Sequence, residues 1–161
     1  MPTNPPKGYH SVTPGITVRD AAKAIDFYKE AFGAEELDRM EGPDGSIMHA
    51  EIRIGDSIIM LGEENPAWGT KSPQTLGGVH GSLHIYVDDA DAAYAKAVAA
   101  GCEARFPLED AFWGDRYGKV ADPFGHEWGI GTRLKDLSPE ETRKAAEAWM
   151  QQQQAMAGGQ T

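Results

Sequence analysis

Hydrophobic and polar positions along this chain alternate between two spacings. From His10 to Val18, β-branched residues interrupted by Gly and Pro predict a strand. Ala21, Ile25, Tyr28 and Phe32 then share one face at helical spacing, which predicts a helix over Ala21–Phe32 capped by Asp20 and stopped at Gly33. Strands are expected near Glu35–Met40, Ile47–Ile54 and Ile58–Leu61, divided by the turn EGPDGS and by Gly55-Asp56. The stretch GEENPAWGTKSPQTLGG has no periodicity and is rich in turn formers, so it predicts a linker. The first pattern then recurs. Ser82–Val87 predicts a strand, Asp88 or Asp89 caps a helix ended by Gly101, and strands follow near Glu103–Leu108, Arg116–Ala121 and Glu127–Thr132.

The recurrence has a fixed offset. Val18-Arg19-Asp20 matches Val87-Asp88-Asp89; Val18 precedes the turn glycine Gly55 by 37 residues, and Val87 precedes Gly125 by 38. The fold expected is therefore α+β, with two βαβββ modules of nearly equal length. The organisation expected is an extended arm over residues 1–9, a first module over 10–62, a linker over 63–79, a second module over 80–133, and a tail over 134–161. In the tail, Ser138-Pro139-Glu140-Glu141 is a capping box that opens a helix to about Gln154, after which Gly-Gly-Gln-Thr frays. Trp149 and Met150 on that helix need an apolar partner, either their own domain or a second subunit.

Composition narrows the function. The 161 residues carry a formal net charge of −10, which repels phosphate backbones and anionic membrane surfaces, so neither nucleic acid nor membrane is an expected partner. Cys102 is the only cysteine, which rules out an intrachain disulfide and C-x-x-C metal sites. No apolar run is long enough to span a bilayer and the first residues hold no secretory h-region, so the expected location is the cytoplasm.

The helix segment AIDFYKEAFGAE and the hairpin ADPFGHEWGI, set within the paired modules, resemble the vicinal oxygen chelate superfamily, the glyoxalase, bleomycin resistance protein and dioxygenase group. The likeness covers about residues 10–133 and leans toward its PhnB-like branch. It implies a curved mixed-sheet cup with ligands or metals on the concave side. In the family's metal enzymes, the ligands sit on the first and last strand of each module. The matching positions here are Thr13, Ser82, Gly129, and Ile59 or Met60 if the register slips by one. None of these can hold a divalent metal, which needs imidazole or carboxylate at such positions. No metal is therefore expected, and no other cofactor. A divalent metal would need a non-standard set, for which His49, Glu51 and His84 are the candidates. A methyltransferase name attached to that branch has no support here, because no glycine-rich nucleotide turn is visible.

Alternation along the strands gives the expected cup lining. Thr13, Gly15 and Thr17 face in from the first strand, and Ser82, His84 and Tyr86 from the fifth. On the third, Met48, Ala50, Ile52 and Ile54 should pack against the helix, leaving His49, Glu51 and Arg53 on the open face. Met60 and the loop aromatics Trp68, Phe112, Trp113 and Tyr117 complete the ligand-binding candidates, with Arg116 available for a ligand carboxylate or phosphate. Candidate acid–base residues are His49, Glu51 and His84.

The resemblance and this lining together imply a dimeric small-molecule-binding protein that sequesters an aromatic or amphipathic ligand without a metal. The alternative is a lyase, isomerase or dioxygenase using a displaced metal; whether there is catalysis stays open.

Overall fold

A computed structural model describes residues 1–159. The first module contains β1 (Gly15–Val18), α1 (Ala21–Phe32), β2 (Glu35–Glu41), β3 (Ile47–Ile54) and β4 (Ser57–Glu63). The second contains β5 (Ser82–Tyr86), α3 (Ala90–Ala100), β6 (Glu103–Asp110), β7 (Asp115–Ala121) and β8 (Glu127–Arg133). Each module forms a four-stranded sheet in the order first, fourth, third, second strand. The first and fourth strands run parallel across the α-helical crossover, and the other pairs are antiparallel. Two mixed sheets with helices on one face match the expected α+β architecture.

Local chemistry accounts for the helix ends. Asp20 accepts from the Lys23 N–H at 3.1 Å, and Gly33 closes α1 in the left-handed region at φ 67°. Of the two caps possible for α3, Asp89 takes the role, accepting from the Ala92 N–H at 3.0 Å. Both halves of the capping box form at Ser138 and Glu141. The helix they open, α4 (Pro139–Gly158), runs past the expected Gln154, buries none of its residues, and Gln160 and Thr161 of the expected fray lie outside the described residues.

Three expectations need correction. The first strand begins at Gly15 rather than His10: Thr13 turns its hydroxyl onto the His10 carbonyl at 3.0 Å, so the chain up to Pro14 belongs to the arm. On β3, the pairing with β2 slips between Met40 and Glu41, leaving Met48 unpaired and 38% exposed while Ile47 takes the core position. Within the segment read as a linker, Asn65 caps a single 3₁₀ turn, Pro66–Trp68, and Ser72 caps the short helix α2 (Pro73–Leu76). Glu64 organises this segment: it accepts from the Thr75 hydroxyl at 2.7 Å and the Ser72 N–H at 2.8 Å, and pairs with Arg19.

A single hydrophobic core joins the modules. Tyr28, Ile25 and Ala24 of α1 belong to the same buried cluster as Trp128, Val120 and Ile130 of the second sheet. The Asp-Pro-Phe-Gly turn between β7 and β8 supplies its polar staple. Asp122, only 5% exposed, accepts from the Tyr28 hydroxyl at 2.6 Å and from Trp128 Nε1 at 2.9 Å. Its other oxygen takes the N–H groups of Phe124 and His126, both at 2.9 Å, so the buried carboxylate is surrounded by donors. His126 Nε2 donates to the Thr17 carbonyl at 2.8 Å, tying the same turn to β1. No helix among the described residues is long and apolar enough to cross a membrane.

Candidate functional site

The helices and core cover one face of each sheet, and most of the candidate residues lie on the other. On the first sheet, Thr17, His49, Met60 and Trp68 line one shallow depression of about 230 Å³. Trp68 reaches it from the 3₁₀ turn and is 60% exposed. Glu51 sits beside it, with its Oε1 3.2 Å from His49 Nε2. Tyr9 of the arm lies near the same carboxylate, and its hydroxyl is the main reason the Glu51 carboxyl lies below the ordinary carboxylate range; burial opposes this and His49 adds to it. The same proximity pushes the Tyr9 phenol up to about 12. Thr13 stands apart from this group, in the arm.

On the second sheet, the aromatic candidates gather around a carboxylate. Asp115, fully buried, accepts from the Tyr86 hydroxyl at 3.0 Å and from Trp113 Nε1 at 2.9 Å, both on Oδ2. Its Oδ1 makes no hydrogen bond and lies 3.2 Å from an Arg133 nitrogen. Tyr117 stacks on His84 with centroids 5.6 Å apart and planes 10° apart, and Trp113 meets Tyr117 edge-on at 5.4 Å. His84 also packs against Tyr86 at 4.6 Å. Loss of hydration within this group lowers the His84 pKa below its ordinary 6.5, against the pull of Asp115. Phe112 continues the row to Trp149 of α4 at 5.6 Å. Ser82 is exposed at the start of β5, opposite Glu127.

Arg116 faces the other way. Its guanidinium makes two bonds to Asp91 of α3, at 2.8 and 2.9 Å, and a third to Asp110 at 3.2 Å. It is one residue out of phase with Tyr117, and alternation sends it to the helix side. Glu127 reaches the open face, where it pairs with Lys119 at 3.4 Å.

An open cleft of about 570 Å³ lies where the modules meet, between His84 and Tyr86 of β5, Ser57 and Ile58 of β4, and His10, Val12 and Pro14 of the arm. Several participants were not among the expected site residues: His10, Val12, Pro14, Ser57 and Ile58 at the cleft, Tyr9 near Glu51, and Asp115 with Arg133 on the second sheet. Asp115 shares strand parity with Tyr117, which would have put it on the open face had the strand been started one residue earlier. Tyr9 carries no such signal, because a proline-rich arm gives no register.

The positions that would carry a metal can now be compared with their neighbours. Ile59 is buried in the core, so Met60 is the residue of that pair on the open face. At Gly129 the space is taken by His84, whose Nδ1 would lie 2.6 Å from a Cβ at that position. Among the described residues, no three His, Cys, Asp or Glu side chains come together as a metal-binding group, so His49, Glu51 and His84 are not one ligand set. The residues present do not fit a divalent metal.

A family profile for the glyoxalase/bleomycin resistance protein/dioxygenase superfamily matches residues 9–130. The chain belongs to that superfamily. A Mycobacterium bovis relative, itself uncharacterized, is 45% identical over 138 residues, covering 84% of this chain and 91% of its own. Among solved structures of the superfamily fold, TioX from Micromonospora sp. ML1 is 27% identical with a TM-score of 0.60, over 76% of this chain and 98% of that one. A Bacillus cereus structure titled as a putative 3-demethylubiquinone-9 3-methyltransferase, PhnB protein, shares the fold at 18% identity and a TM-score of 0.57, covering 76% of this chain and 99% of that one. At the positions that the resemblance matches to metal ligands, this chain carries Thr13, Met60, Ser82 and Gly129.

Proposed function

We propose that this chain is a small-molecule-binding protein of the glyoxalase/bleomycin-resistance type that holds a planar aromatic or amphipathic ligand on its open sheet faces without a metal. The observation that carries it is the cluster of His84, Tyr86, Trp113 and Tyr117 held around the buried Asp115 beside an open cleft. Aromatic rings locked by one another and by a carboxylate present flat, low-entropy surfaces on which a planar molecule stacks at little ordering cost. The glycine beneath His84 favours stacking over metal chemistry at that point. Within the superfamily, we place the chain in the PhnB-like branch, on its helix segment and hairpin. A homodimer is part of this proposal: Trp149 and Met150 on α4 are 44% and 48% exposed, and a second copy would cover them. The buried, lone Cys102 suits a reducing cytoplasm.

The test is a thermal-shift screen of planar and amphipathic compounds, paired with light scattering for the mass in solution. A ligand at about 100 times its Kd stabilises by about 2.7 kcal/mol, or roughly 5–10 °C in Tm for a chain of this size. A blank screen over planar and amphipathic classes would refute the binding role, and a monomer mass would refute the dimer.

A further inference from the structure

The two modules repeat in the way each helix meets the other module's hairpin. With Val18 matched to Val87, Phe27 of α1 matches Lys96 of α3, and the turn pair Phe124-Gly125 matches Ile54-Gly55. In one half of the repeat this place is full. Phe27 meets Phe124 edge-on with centroids 5.9 Å apart, and Pro73 stands over Gly125, 2.7 Å from where a Cβ would lie. In the other half it is open. Lys96 stands where Phe27 would, Ile54 where Phe124 would, and a Cβ at Gly55 would meet nothing within 4 Å. A cavity of about 180 Å³ remains, walled by Phe32, Ile54, Ile85, Val87 and Ile130, with Lys96 on its lining. Phe32, Ile85 and Val87 pack on the core yet are only partly buried, which leaves apolar surface for an occupant.

We infer that this cavity is a second binding site, for a compact apolar monocarboxylate: Lys96 pairs with the carboxylate, and the apolar body fills the space that Phe27 and Phe124 occupy in the matching half. The site is separate from the open-face role proposed above. It shares Ile54, Gly55, Ile85 and Tyr86 with the junction cleft but reaches α1 and α3 on the helix side. Charge decides the ligand class. No Asp or Glu lines the cavity, although the chain carries 25 of them against 15 Lys and Arg. Lys96 is free to pair. The positions three and four residues to either side of it on α3 are all alanine, Ala92, Ala93, Ala99 and Ala100, and among the described residues nothing pairs with its ammonium. The apolar body gains by leaving water for these walls. The carboxylate stays at the rim, where Lys96 is exposed and neither charge loses all of its hydration. One negative charge suits the site better than two, because the chain's net charge of −10 repels a dianion more strongly.

Amide NMR titration of the full chain with phenylacetate, hexanoate and the neutral phenylacetamide tests this, using wild type, Lys96→Met and Lys96→Phe. Phenylacetate or hexanoate should shift the amides of Phe32, Val87, Ala93 and Lys96 saturably in wild type. Phenylacetamide should bind about tenfold more weakly than phenylacetate, as expected for loss of a charge-assisted hydrogen bond. Lys96→Met keeps the stem and loses the charge, so it should bind the acid no better than the amide. Lys96→Phe installs the residue that α1 carries at the matching position and fills the cavity, so neither acid should shift these amides. Circular dichroism checks that this variant is folded; if it is not, Lys96→Met decides. No shift at these amides with either acid in wild type overturns the inference. Shifts confined to His84 and Tyr117 overturn it as well, and would support the open-face role instead. Equal binding of acid and amide by wild type, or of acid by wild type and Lys96→Met, overturns the pairing with Lys96.

Discussion

The ring of His84 stands so close above Gly129 that a Cβ there would lie 2.6 Å from His84 Nδ1 and 3.1 Å from Tyr117 Cε2. Gly131 repeats the relationship at 3.0 Å from Nε2. The two glycines of β8 thus make the floor on which the imidazole lies, and Tyr117 stacks against it. Gly129→Ala forces the ring off that floor, at a cost on the order of 1–3 kcal/mol for overpacking. The expected signature in proton NMR is loss of the His84–Tyr117 ring contacts, together with reduced stabilisation by any ligand found. Unchanged ring contacts in the alanine variant would show that the floor is not needed.

Because burial lowers the His84 pKa, its neutral form is favoured in the folded chain. The sign of the linkage follows. Between the lowered folded value and the ordinary 6.5, the unfolded chain binds more protons, so stability rises with pH in that window. The contribution is intact above 6.5 and is lost as pH falls through the folded value. His84 remains partly exposed, so the effect on Tm is small and the ring signal is the better probe. NMR titration should give a His84 midpoint below 6.5; a midpoint at or above it would mean that the Asp115 charge outweighs the loss of hydration.

Much of the fold was legible because two kinds of signal coincide. Ala21, Ile25 and Tyr28 mark a helical face, and Asp20, Asp89 and Ser138 mark helix starts with side chains that bond the first turn. The repeat from Val18 to Val87 then places equivalent strands. Alternation found His49 and His84 on open faces, but it misplaced Met48, since a bulge breaks the period that alternation assumes. Arg116, expected to be available for a ligand carboxylate or phosphate, is already paired with two carboxylates. Its partners Asp91 and Asp110 lie far from it in sequence or across a strand pair, so only tertiary packing reveals that it is already engaged. The carboxylates that organise each end of the second sheet, Asp115 and Asp122, were missed for the same reason. A buried Asp looks like any turn or strand-edge Asp until its donors are brought to it.

The Asp122 staple should be a large part of what holds the modules together. Asp122→Ala would leave the Tyr28 hydroxyl, Trp128 Nε1 and the Phe124 and His126 N–H groups unmet, at a cost on the order of 4 kcal/mol. Tyr28→Phe removes one donor and keeps the ring against Phe32 and Trp128, so it should cost about 1.5–3 kcal/mol. Urea unfolding measures both. If the alanine variant lost less than the phenylalanine variant, the carboxylate would not be the hub of this network.

Cys102 lies in the same region and reports on it chemically. It is 5% exposed, and burial first, then the Asp122 charge, pushes its thiol up to about 12. At pH 8 the folded chain therefore offers almost no thiolate, and Ellman's reagent should react only as fast as the core opens. In denaturant one thiol per chain should react at once. Asp122→Ala acts on the folded rate in two ways, weakening the charge that disfavours the thiolate and populating the opened state, so the native reaction should accelerate well beyond wild type. Tyr28→Phe opens the core without removing the charge, and its smaller acceleration separates the two effects. Rapid, stoichiometric reaction of the wild-type thiol in native buffer would show that Cys102 is accessible and that the core between α1 and the second sheet is looser than its packing implies.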